Sequence, residues 1–140
     1  QTGYAYSHYR YGTFTKGTDN FSGKTVPSVP AHTLSILFDL QTKRNFYLNS
    51  TWYSASRMFL NDANTASADP YQLLGARLGW KKAWKNKYRI NLYAGADNLL
   101  DEKYSLGNDI NAAASRFYNA APRRNFHAGL ILEWLGKEKN

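Results

Sequence analysis

Residues 90–104 read Ile-Asn-Leu-Tyr-Ala-Gly-Ala-Asp-Asn-Leu-Leu-Asp-Glu-Lys-Tyr, and residues 116–134 read Arg-Phe-Tyr-Asn-Ala-Ala-Pro-Arg-Arg-Asn-Phe-His-Ala-Gly-Leu-Ile-Leu-Glu-Trp. The first alternates Ile90, Leu92, Ala94 and Ala96 against Arg89, Asn91, Tyr93, Gly95 and Asp97. The second alternates Phe126, Ala128, Leu130, Leu132 and Trp134 against Asn125, His127, Gly129 and Glu133. A period of two is the signature of a strand with one apolar and one polar face. The pattern predicts strands over Tyr88–Asp97 and Asn125–Trp134, joined by a polar loop from Leu99 to Arg124.

The same period recurs upstream. Thr33–Gln41 sets Leu34, Ile36, Phe38 and Leu40 against Thr33, Ser35 and Asp39. Gln72–Lys82 sets Leu74, Ala76, Leu78 and Trp80 against Gly75, Arg77, Gly79 and Lys81. Gly3–Thr15 and Asn45–Phe59 are predicted as further strands, the latter with a less regular alternation. Connections alternate in length. Gly17–Pro30, Asn61–Pro70 and Leu99–Arg124 are long; Thr42–Arg44 and Ala83–Lys87 are short. In an antiparallel meander, that parity places every long loop at one end and every short turn at the other. Long loops at one end and tight turns at the other is the plan of an outer-membrane barrel. The fold predicted is all-β, an antiparallel meander of about six strands; the family resemblance given below implies that residues 1–140 form one segment of a larger barrel.

Composition agrees. Aromatic residues make up 16% of the chain, with 11 tyrosines against 4 prolines, which favours strands. With no cysteine, disulfides and thiolate metal sites are excluded. No apolar run reaches the roughly 18 residues of a transmembrane helix, but barrel strands are too short and too alternating to show in such a scan. The net charge is +8. Nine of the 18 cations (Lys43, Arg44, Lys81, Lys82, Lys85, Lys87, Arg89, Lys137 and Lys139) fall at the predicted short-turn end. With Trp80, Trp84 and Trp134 nearby, they suit an aromatic and cationic girdle at a headgroup layer. Nothing matches a nucleic-acid motif.

The strand ending Asn98-Leu99-Leu100-Asp101-x-x-Tyr104, followed by Arg116-x-Tyr118-Asn119-x-x-Pro122-x-Arg124-Asn125-Phe126, resembles the carboxyl end of TonB-dependent outer-membrane receptors. Leu100 stands where that family commonly has Phe, Ala120 where Pro is common, and Arg123 where Gly or Pro is common. The resemblance implies that Asn98, Leu99, Asp101 and Tyr104, with Arg116, Tyr118, Asn119, Pro122, Arg124, Asn125 and Phe126, are structural motif residues. It also implies import of a ferric siderophore, another metal chelate or an oligosaccharide across a bacterial outer membrane, driven by the TonB system through an N-terminal part not in this chain. The partners implied are outer-membrane lipid and the imported small ligand. Trp134 stands in for the terminal aromatic of such barrels, with Leu135–Asn140 as a tail.

A closed barrel of plugged-transporter width has about 22 strands, so six make about a quarter. The strand pattern begins at once after Gln1, with no leader-like segment, so the chain is expected to start inside a longer protein. Two open edges and an uncovered apolar face predict that the isolated chain self-associates. Ligand contacts are expected from the long loops, with Arg116, Tyr118, Arg123 and Phe21 as candidates: aromatics stack on sugars or catechols, and Arg attracts anionic chelates. No catalytic residue, metal site or cofactor is expected. His8, His32 and His127 fall on separate segments, and no paired-carboxylate, Ser-His-Asp or phosphate-loop signature is present. The rival is a self-contained soluble β-sandwich or small barrel, for example a carbohydrate-binding module. A sandwich would bury the apolar face against a second sheet.

Overall fold

The computed structural model describes residues 1–85 and 87–135. Six strands form one sheet: β1 (Thr2–Tyr6), β2 (His32–Gln41), β3 (Phe46–Ala55), β4 (Tyr71–Trp84), β5 (Tyr88–Asp97) and β6 (Asn125–Trp134). Their order in the sheet is their order in the chain, and every neighbouring pair is antiparallel. The meander is the expected one. Its three long loops lie at one end and its two short turns at the other.

Register sorts the side chains as the alternation predicted. One row across the sheet runs Phe38, Ser50, Ala76, Ala96, Phe126; the next runs Leu40, Leu48, Leu78, Ala94, Ala128. Further toward the short turns come Trp80, Leu92 and Leu130, then Trp84, Tyr88 and Trp134. This apolar face is uncovered: Leu78, Leu130, Leu132, Phe126 and Trp134 are all more than half exposed. The other face carries Asp39, Asn49, Arg77, Gly95 and His127 in one row. Leu37 and Ile131 also stand on that polar face, exposed, and break its pattern. Among the described residues, the only other sheets are two-stranded ribbons in the loops, so no second sheet covers the apolar face. The sandwich reading lacks its partner layer.

Two strands end earlier than expected. The first was predicted to reach Thr15 but leaves the sheet after Tyr6. It continues as an irregular hairpin, with Ser7 N–H donating to Ala31 O (2.9 Å) and Val26 N–H to Tyr9 O (3.1 Å). The returning arm holds Pro27 and Pro30, which have no N–H to give, and Gly23 and Ser28 at positive φ (75° and 61°), so a regular ladder cannot form. The third leaves the sheet after Ala55; Met58–Phe59 pairs instead with Ser67–Ala68. β4 is longer than predicted, reaching Trp84. At the short-turn end, Lys43, Arg44, Lys81, Lys82, Lys85, Lys87 and Arg89 gather as expected, with Arg89 paired to Glu133 (2.8 Å). Lys137 and Lys139 lie outside the described residues.

Candidate functional site

The functional candidates sit at the long-loop end, where the chain contains its packed core. Met58, Leu60, Ala68 and Phe117 form the buried cluster, with Ala66, Tyr71 and Ala112 against it. Leu60 is 1% exposed. These residues come from the second and third long loops, so the loops pack on one another.

Asp62 ties all three together. Its carboxylate is buried, at 7% exposure. Oδ1 accepts the hydroxyl of Tyr11 from the first loop (2.7 Å), and Oδ2 accepts Nδ2 of Asn111 from the third (2.8 Å). The Asp62 N–H returns to Asn111 Oδ1 (2.9 Å). Two residues on, Asn64 accepts the Thr25 N–H and donates to the Thr25 carbonyl, each at 2.8 Å. A buried carboxylate is costly unless its oxygens are satisfied, and here the donors that satisfy it are 51 and 49 residues away. The hydrogen bond to this carboxylate, the largest cause, raises the pKa of Tyr11.

A second tie closes the base of the third loop, and it is built from the two motifs at either end of that loop. Asn98 and Asp101 adopt left-handed backbone (φ 50° and 56°), which Asn and Asp tolerate best after Gly. Asn98 is buried. Its Nδ2 donates to the carbonyls of Glu102 (2.9 Å) and Pro122 (3.4 Å), and its Oδ1 accepts the Glu102 N–H (2.8 Å). Asp101 accepts a bidentate pair from Arg123, at 2.9 and 2.6 Å, and the Arg124 N–H at 3.1 Å. The Arg123 guanidinium, then the Arg124 N–H, hold the Asp101 carboxyl down at about 2. Tyr104 stacks on Tyr71 at 5.6 Å, while Asn119 donates to Gly107 O (3.1 Å) inside a ribbon of Ser105–Asn108 with Tyr118–Ala120. Asn125 and Phe126 open β6, Phe126 on the apolar face and 75% exposed; Leu99 donates its N–H to Leu74 O (2.7 Å).

The four ligand candidates are not brought together. Arg123 is engaged by Asp101. Arg116 is exposed, its N–H on Ala113 O (3.3 Å). Phe21 packs on Phe14 (5.7 Å) near the tip of the first loop. Tyr118 is the one that lines a hollow, of about 380 Å³, floored by Met58 and Ala68 and walled by Tyr71, Tyr104, Asp69, Glu102 and Lys103. Its hydroxyl donates to Ser67 O (3.2 Å). The buried Oδ1 of Asn108, on the same wall, has no hydrogen-bond partner among the described residues. Sequence reasoning missed Asp62, Asn64, Asn111 and Tyr11. The run Asn61-Asp62-Ala63-Asn64 marks a turn, but nothing local shows which loops its side chains reach.

The polar sheet face carries a second hollow, of about 280 Å³, lined by Asn49, Thr51, Arg77, Asp97 and His127. Arg77 lies over the Tyr93 ring at 4.7 Å, and His127 Nδ1 is 3.6 Å from Asp97. The three histidines divide: His8 and His32 both flank Tyr6 (6.3 and 5.1 Å between rings), while His127 stands apart beside Tyr93.

Comparison with known proteins agrees with this architecture. The chain is similar to the unliganded ferric citrate transporter FecA (22% identity, TM-score 0.66), covering 81% of this chain and 18% of that one. It is similar to the siderophore receptor PiuA from Acinetobacter baumannii (18% identity, TM-score 0.72), over 94% of this chain and 19% of that one. It is also similar to the ferric yersiniabactin uptake receptor FyuA from Yersinia pestis (21% identity, TM-score 0.58), over 83% and 18%. The chain therefore spans about a fifth of the length of these structures, and at these identities the likeness is one of fold. Residues 1–99 match the profile described as TonB dependent receptor-like, beta-barrel. With most of its length matching that profile, and with its meander, two-faced strands and one-ended loops, the chain belongs to the TonB-dependent receptor β-barrel family.

Proposed function

We propose that this chain is the C-terminal wall of an outer-membrane receptor that imports a scarce metal chelate of the ferric-siderophore type, powered by the TonB system through an N-terminal part outside this chain. The observation that carries the reading is the uncovered apolar face of a six-stranded sheet whose other face is polar. In water that face would be a liability; in hydrocarbon it is the favourable surface, with the backbone of the four inner strands paired on both sides and the two edge strands left for neighbouring strands of a larger barrel. Family membership, and neighbours whose names specify ferric citrate and siderophore uptake, support the transport role and the ligand class.

The long loops then face outside and the ligand meets their inner wall. Tyr118 is the ligand-contact candidate retained. Arg123 is better assigned to holding the loop base than to a chelate. The test is deletion of the full-length gene in its native host. Loss of growth under iron limitation, restored by the intact gene, with the protein in the outer-membrane fraction, is the expected result. Normal growth on every ferric chelate offered would overturn the ligand class, and recovery in the soluble fraction would overturn the reading itself.

A further inference from the structure

The apolar face has a distinct chemistry at its long-loop end. Tyr4 and Tyr6 of β1 stand opposite Leu34 and His32, on the same face as Phe38 and Leu40, and both tyrosines are at least 60% exposed. The Tyr4 hydroxyl meets His32 Nδ1 at 2.7 Å, and that of Tyr6 meets His8 Nδ1 at 3.4 Å. Arg10 donates through Nε to His8 Nε2 (3.3 Å). Beside them lies a hollow of about 210 Å³ lined by Ser7, His8, Arg10 and Arg57, with no carboxylate among its described lining residues. Arg57 is exposed and held by Ser67 Oγ (2.7 Å). At the opposite end of the face, Trp84, Tyr88 and Trp134 form the other aromatic row. Strands of ten residues run about 33 Å, and, tilted as in a barrel, bridge an apolar band of about 25 Å.

We propose that Arg10 and Arg57, beside the Tyr4–His32 and Tyr6–His8 pairs, seat a phosphate of an anionic membrane lipid of the lipid A class, whose acyl chains lie along the apolar face. The inference rests on the reading that this face meets lipid. Two guanidiniums lining a hollow with no carboxylate among its described lining residues favour an anion, and guanidinium–phosphate contacts are among the strong charge-assisted hydrogen bonds. Tyrosine suits the boundary because its ring is apolar and its hydroxyl is wet. Arginine stems lie on apolar surface while their heads reach the headgroup layer.

The test is native mass spectrometry of the full-length receptor, delipidated in detergent and offered either bisphosphorylated lipid A or phosphatidylcholine. Wild type should retain lipid A over phosphatidylcholine. Losing two charge-assisted contacts in Arg10→Gln/Arg57→Gln should cut that occupancy by about tenfold or more, with heat-modifiable migration confirming a folded barrel. If the double variant does not fold, Arg10→Gln and Arg57→Gln are read singly, each with a smaller loss expected. Unchanged occupancy in the folded variants, or equal retention of phosphatidylcholine, would overturn the proposal. So would displacement of lipid A by millimolar inorganic phosphate alone, which would mark a free-anion site. Absence of a folded, detergent-requiring barrel in wild type would instead overturn the membrane reading beneath it.

Discussion

In the sheet, Leu78, Leu92, Leu130 and Leu132 stand exposed; in the loops, Leu60 and Phe117 are buried. The same residue types are thus treated in opposite ways within one short chain. On the proposed reading, the sheet needs no core because its inner strands are satisfied strand to strand, and a hydrocarbon surrounding accepts its side chains. The loops lie beyond that surrounding, where water makes apolar exposure costly, so they collapse on a small core and knot their polar groups through Asp62. On that reading burial tracks the solvent each region meets, not the hydrophobicity of its residues alone.

The contrast can be broken from either side. Leu78→Arg, in the middle of the apolar face, should cost about 2–4 kcal/mol in a bilayer, whereas Leu37→Arg on the polar face should cost little. The folded fraction of the full-length protein after refolding into vesicles measures both, and equal losses would refute the assignment of faces. Asp62→Ala leaves the Tyr11 hydroxyl and the Asn111 amide without their partner, at about 1–3 kcal/mol. Hydrogen exchange should then rise together over residues 20–28, 58–66 and 108–118 while β2–β5 stay protected. A rise confined to 58–66 would show that the loops are independent.

Smaller effects sharpen the comparison. Gly79 lies beneath the Tyr47 ring, which a Cβ would overlap, while the Tyr47 hydroxyl donates to Asn91 (2.9 Å). Gly79→Ala should destabilise by about 1 kcal/mol, and Gly3→Ala, with open space around it, should not; chemical denaturation in detergent compares them. The smallest effect expected near neutral pH is at the Asp101–Arg123 pair. Asp101 titrates near 2 rather than the ordinary 3.8, so it contributes stability that is present above 3.8 and lost as pH falls through about 2. Exchange at residues 99–104 should be flat from pH 5 to 8 once intrinsic rates are removed, and Asp101→Asn should abolish the acid-linked loosening.

Strand positions, the meander, the two faces and the grouping of the long loops were legible in the chain, because period-two alternation and loop length are local properties. At Asn98 and Asp101 the residue types themselves suit the left-handed backbone that the structure shows. The early exit of β1 was less legible, since Pro27, Pro30 and Gly23 sit on a different arm from the strand they interrupt. Only the tertiary structure decided what the polar loop residues do. Arg123 has the chemistry of an anion ligand, yet it faces Asp101, 22 residues away in the chain. Asp62 carries no local mark of its role, because its partners lie about 50 residues away on either side. Alternation is set by each residue's immediate neighbours, whereas a side chain's partner is set by which distant segments the folded loops bring beside it.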